Sequence, residues 1–228
     1  MNTNVNLAAP IGVLALLGTG FLFGVAILGL IQSLIVKKQG RAKVILLAMG
    51  LIVGAYLAAI LIFSFVSKET ALARGVEKHF CEIDCHLAYS IVNTRQTKTL
   101  GTPTNQSTAH GLYTIVTIKT RFDEHTISSQ RGDAQLFPNS RVLTLIDERG
   151  NKYAPSSEGQ RALEAAQTAG TALTTALRPG EAYTTEVAFD LPPDVKAATL
   201  LVNEGEWVTH VVIGHENSPL HRQTKFQL

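Results

Sequence analysis

The sequence predicts a membrane helical hairpin of two transmembrane helices, followed by an all-β antiparallel sandwich with a short helical insert. Three observations carry this. No charged residue occurs in 1–36, and none in 44–66. A basic stretch, "KKQGRAK", separates the two apolar runs. Beyond residue 80 the apolar pattern changes from long continuous runs to short β-branched and aromatic runs between turn residues.

The first apolar run covers 11–36, after a ten-residue uncharged tail. Its amino end lacks the positive charge of a signal peptide, and its apolar core exceeds the usual 7–15 residues. The second run, 44–66, holds fourteen Val, Ile, Leu or Phe residues. At insertion energies near −0.3 to −0.6 kcal/mol each, they favour the bilayer by roughly 4 to 8 kcal/mol. Both runs reach the length of about 20 residues that a bilayer requires.

Lys37, Lys38, Arg41 and Lys43 lie in the connection 37–43. Basic residues in a short loop hold it in the cytoplasm. The expected topology is therefore two-pass in a bacterial inner membrane. The amino-terminal tail 1–10 and everything from the linker 67–80 onward are extracytoplasmic, periplasmic in a two-membrane cell. Gly20 with Gly24, and Gly50 with Gly54, have the spacing that lets helices pack closely in lipid, within the hairpin or against a partner. Neither span contains Asp, Glu, Lys, Arg or His, so the hairpin reads as an anchor or assembly surface rather than a transport path.

The domain 81–228 supplies strand candidates "LAYSIV", "LYTIVTIKTRF", "RVLTLID", "AYTTEVAFDL", "ATLLV" and "WVTHVVIG". In the fourth, Tyr183, Val187 and Phe189 share one face, with Thr184 and Glu186 on the other, as a half-buried strand demands. "SSEGQRALEAAQTAG" combines helix formers with a serine cap and is the helical insert. The linker is expected to continue the second helix for a few turns before Gly75.

The run "LTLIDERGNKYAPS" followed by "TALRPGEAYTTEVAFDLPPDVKAATLLV" resembles the bacterial membrane-anchored immunoglobulin-like domains of unknown function. The resemblance spans roughly 113–202. It implies an immunoglobulin-like sandwich and carries no activity residue by residue. The chain departs from that pattern in its hairpin anchor and its cysteine cluster.

That cluster, "HFCEIDCH", contains both cysteines of the chain, Cys81 and Cys85, flanked by His79 and His86. In an oxidising compartment two thiols are usually paired. A strand separates residues i and i+4 by about 13 Å, beyond the 4.4–6.8 Å that a disulfide takes; a helical or turn-like curl brings them to about 6 Å. A Cys81–Cys85 disulfide therefore requires a curled segment. The alternative is a metal site of Cys81, Cys85, His79 and His86, whose sulfur and nitrogen donors suit copper or zinc. "CEIDCH" also stands one residue away from the C-x-x-C-H haem signature.

No nucleophile motif, phosphate loop or zincin motif occurs, and an enzymatic role is not expected. A net charge of +2 provides no basic face for nucleic acid. The expectation is a non-catalytic, integral membrane interaction or structural protein without a cofactor, joined to a partner protein or to further copies of itself. The alternative is a redox module holding copper, zinc or haem.

Overall fold

The computed structural model describes residues 8–81, 85–126 and 132–228. The first seven residues of the expected tail, and the centre of the cysteine segment at 82–84, lie outside them. The chain divides into two compact units. One comprises Glu69–Glu206 and Gln223–Leu228; the other comprises Leu7–Lys68 and Trp207–Arg222.

In the second unit, α1 (Ala8–Ile35) and α2 (Gln39–Val66) form the hairpin. Both are long and apolar enough to cross a membrane. The connection is tighter than the expected 37–43, because Lys37 turns the chain at a φ of 55° and α2 begins at Gln39. Arg41 and Lys43 are thus inside the first turns of α2. Gln, Arg, Ala and Lys are good helix formers, and nothing in "QGRAK" except Gly40 opposes helix. At Gly20, Gly24, Gly50 and Gly54 an added Cβ would meet nothing within 4 Å. These glycines are therefore not where α1 and α2 approach each other. Gly29 is, with its Cβ position 3.5 Å from Ile45 Cδ1.

The expected helical extension into the linker does not form. α2 ends at Val66, where the Ser67 hydroxyl caps the Ser64 carbonyl at 2.6 Å. Two short strands follow, β1 (Thr70–Leu72) and β2 (Lys78–Phe80).

The first unit is a sandwich of two sheets. One orders its strands β2, β3 (Leu87–Thr102), β4 (Asn105–Phe122), β7 (Ala182–Leu191). The other orders β1, β9 (Thr224–Gln227), β8 (Ala197–Glu204), β5 (Arg141–Asp147), β6 (Lys152–Tyr153). Every pairing is antiparallel except β1 with β9, which is parallel. β3 and β4 are far longer than "LAYSIV" and "LYTIVTIKTRF". Polar Thr, Gln and Lys residues continue the ladder as far as Thr102–Asn105.

Between the sheets lies one apolar core. Tyr89, Ile91, Val116, Ile118, Val187 and Phe189 come from one sheet, and Leu143, Leu145, Leu200, Val202 and Phe226 from the other. The alternation in β7 is as expected, with Val187 and Phe189 facing inward. On the outer face of the four-stranded sheet, α3 (Ser157–Ala165) covers Tyr113, Ile115 and Ala188. It begins where Ser156 accepts the Gly159 N–H at 3.1 Å, an ordinary N-cap. "WVTHVVIG" is not a strand of the sandwich: Trp207–Val211 forms a 3₁₀ helix in the unit of the hairpin. Its apolar residues fit strand and 3₁₀ helix equally, and tertiary packing decides between them.

Candidate functional site

The site grows from a row across the four-stranded sheet. His79 on β2 pairs with Ala88 on β3, and Ala88 pairs with Arg121 on β4. Residues in register share a face. The methyl of Ala88 leaves room for the long Arg121 side chain to reach toward β2. There the Arg121 Nε and Nη2 donate to the Glu77 carboxylate at 2.7 and 2.6 Å. Nη2 also lies 3.1 Å from Asp123 Oδ2. The His79 Nε2 lies 2.9 Å from the same oxygen, and as a carboxylate only accepts, the proton is on Nε2. His79 Nδ1 is buried without a hydrogen-bond partner among the described residues.

Asp123 organises the strand end. Its Oδ1 accepts the His125 N–H at 3.0 Å, and its own N–H donates to the His86 carbonyl at 2.7 Å. His86 Nδ1 lies 2.7 Å from the Asp123 carbonyl, which fixes the proton on Nδ1, and 2.7 Å from the Thr126 hydroxyl. The His86 ring stacks on Phe122 at 5.0 Å. Burial by itself would raise the Asp123 carboxyl; the His125 N–H, His79 and Arg121 outweigh it and hold the group down to about 2. The Arg121 hydrogen bond holds Glu77 below the usual carboxylate range, and Glu77 in turn raises Arg121. Both carboxylates are thus ionised at neutral pH and gripped by one guanidinium.

Cys81 and Cys85 are joined in a disulfide, with their Cα atoms 4.2 Å apart. The metal set expected as the alternative, Cys81, Cys85, His79 and His86, would need both sulfurs as thiolates. The two sulfurs bond each other rather than offering thiolates, and the two imidazoles turn to Asp123, His79 to its carboxylate and His86 to its carbonyl. The donors brought close together are instead Glu77, His79 and Asp123, within 4.8 Å of one another. The cation between these carboxylates is Arg121. The arrangement clamps β2 to β4.

Sequence reasoning found His79 and His86 but missed Glu77, Arg121 and Asp123. The separation of 44 positions between Glu77 and Arg121, and between His79 and Asp123, hides the set from motif spacing. A readable sign was that Arg121 and Asp123 flank Phe122 at a strand end, with an acid on the strand's edge. A second hidden pair lies toward the core: Arg141 on β5 faces Glu204 on β8, both almost wholly buried, and Arg141 Nε donates to the Tyr89 hydroxyl at 3.1 Å. The Arg141 guanidinium stacks 4.1 Å from the Phe80 ring centroid. Lys78 Nζ donates to the Val202 carbonyl at 2.9 Å nearby.

The fold and this clamp define a β-sandwich joined to an apolar helical hairpin. No protein-family model matches the chain, and no curated protein matches it. Among solved structures it is similar to MPT63, a secreted protein from Mycobacterium tuberculosis, at 10% identity and a TM-score of 0.43, covering 71% of this chain and 98% of that one. A conserved hypothetical protein from Bacillus anthracis has 12% identity and a TM-score of 0.40, covering 57% of this chain and 88% of that one. An uncharacterized beta-sandwich protein from Clostridium difficile has 10% identity and a TM-score of 0.38, covering 71% and 95%.

Proposed function

We propose that the chain is a non-catalytic, membrane-anchored interaction or structural protein. Its hairpin crosses a bacterial inner membrane twice and holds the sandwich on the extracytoplasmic side. The observation that carries this is the surface of the hairpin. Phe21, Leu28, Leu47, Leu51 and Phe65 are among many large apolar side chains of α1 and α2 that stay exposed, in helices with no charge between 44 and 66. Water penalises such a surface heavily, while lipid covers it at no cost. The basic residues Lys37, Lys38, Arg41 and Lys43 favour a cytoplasmic turn. The disulfide suits an oxidising compartment. The immunoglobulin-like reading of the head rests on its strand-and-turn resemblance, with which two facing sheets agree.

The partner surface we favour is the edge of β3. β2 pairs with β3 only from Leu87 to Tyr89, and Asn93 onward has no second strand neighbour among the described residues. An open edge accepts an added strand, while Arg95 and Lys98 discourage indiscriminate pairing. The redox or metal reading draws less support, because both sulfurs are taken up by the disulfide.

Reporter fusions at the turn and at the carboxyl terminus test the topology. A cytoplasm-active reporter is expected to work at residue 40 and an export-dependent one after residue 228. The reverse pattern, or release of the protein by alkaline carbonate, would refute it. A photocrosslinker at Gln96 is expected to give a discrete adduct that the same group at Glu164 does not. Identical patterns from both positions would reject the β3 edge.

A further inference from the structure

We infer that residues 207–222 form an interfacial membrane element, with Trp207, Val208 and Leu220 seated in the outer leaflet's headgroup–acyl boundary. This rests on the reading that α1 and α2 span the bilayer, and it adds a third contact with lipid.

The segment is tied to the hairpin at three points. The Tyr56 hydroxyl donates to the Val211 carbonyl at 2.7 Å. Gly12 accommodates the Ile213 carbonyl so closely that an added Cβ would sit well inside contact distance of that oxygen. The Arg222 N–H donates to the Ser67 hydroxyl at 2.8 Å, at the end of α2.

These ties set a depth. The charge-free part of α2 is about 34 Å long at 1.5 Å per residue, against roughly 30 Å of hydrocarbon. Tyr56 stands about 18 Å from its cytoplasmic end, near the midpoint of the span. Gly12 is near the outer start of α1, and Ser67 follows the last turn of α2. The segment therefore dips at Val211 into the outer hydrocarbon and returns, through the Arg222–Ser67 contact, to the helix ends in the interfacial zone.

Its chemistry fits that zone. Trp207 is 75% exposed, Leu220 65% and Val208 42%. No Asp, Glu, Lys or Arg occurs from 207 to 215, while Arg222 lies at the end of α2 against Ser67. Tryptophan prefers the membrane–water interface, where its ring is amphipathic. Non-helical backbone near lipid must satisfy its own polar groups. Here His215, Ser218 and His221 N–H groups donate to the Val212, His215 and Ser218 carbonyls at 3.2, 3.0 and 3.1 Å. The Asn217 amide donates to the Thr209 hydroxyl at 2.8 Å.

Trp207 is the sole tryptophan of the chain, so its fluorescence reports the site directly. The full chain is reconstituted into phosphatidylcholine–phosphatidylglycerol vesicles whose acyl chains carry bromine near the headgroup end, or near the methyl end. Bromine near the headgroup is expected to quench the emission by about half or more, and bromine near the methyl end distinctly less. Protein that floats with the vesicles but leaves Trp207 open to acrylamide and indifferent to bromine overturns this inference alone. So does a Trp207 shielded from both quenchers, which would place protein over it. Protein that fails to float with the vesicles overturns the spanning reading and this one together.

Discussion

Arg121 grips Glu77 through two parallel hydrogen bonds of 2.7 and 2.6 Å, reaching over the small Ala88 that lies between their strands. The same guanidinium touches Asp123, and this makes the end of the four-stranded sheet an acid-sensitive joint.

The folded Asp123 carboxyl is held from an ordinary 3.8 down to about 2. A group whose folded value is depressed adds stability that is fully present above its unfolded value and is lost as pH falls through the folded one. The loss therefore falls between about pH 4 and pH 2 and amounts to about 2 kcal/mol; Glu77 shifts in the same direction. Thermal unfolding of the full chain in detergent is expected to show a steep acid limb that Asp123→Asn flattens. An unchanged limb in the variant would remove Asp123 from the account.

Cys81 and Cys85 close a short loop, four positions apart. Chain entropy for so small a ring gives about 2 kcal/mol, which corresponds to roughly 4–8 °C in a chain of this size. Reductant, or Cys81→Ser with Cys85→Ser, should lower the unfolding temperature by that amount. The double variant should then ignore reductant. Titration of two free thiols in the non-reduced wild-type protein would contradict the prediction at its root.

Arg141 and Glu204 face each other across β5 and β8 with side chains 2% and 1% exposed. Arg141→Met alone strands a buried carboxylate and is expected to cost about 3–5 kcal/mol. Arg141→Met with Glu204→Leu should cost much less, since burying neither charge avoids the desolvation penalty. Denaturant titration of both variants measures the difference. Equal destabilisation would show that the pair's packing, not its charge, supports the sandwich.

Gly159 brings α3 against the sheet. An added Cβ would lie 2.9 Å from both Ala188 Cβ and Tyr113 Cε1. Tyr113 is fully buried and cannot swing away. Gly159→Ala is expected to cost about 1–3 kcal/mol by overpacking and to raise hydrogen exchange in α3 while β5 and β8 stay protected. Uniform loss of protection would show that α3 and the sandwich unfold as one.

Much of the molecule was legible in its residues. Charge-free runs on either side of a basic turn marked α1 and α2, because apolar stretches of that length close their hydrogen bonds within themselves as helices. The alternation of Tyr183, Val187 and Phe189 marked β7, and Ser156 marked the start of α3. "WVTHVVIG" misled, because a short apolar run has no period long enough to separate strand from 3₁₀ helix; the Tyr56 hydroxyl, 155 positions from Val211, resolves it. The linker misled too, since the pairing of β1 with β9 depends on residues more than 150 positions away.

The sequence by itself determined that this chain carries two apolar helices and a β-rich head, because hydropathy and strand period are local properties of consecutive residues. Only the tertiary structure decided what the cysteine–histidine segment became. Arg121, Glu77 and Asp123 converge on it from other parts of the chain, and one guanidinium binds both carboxylates.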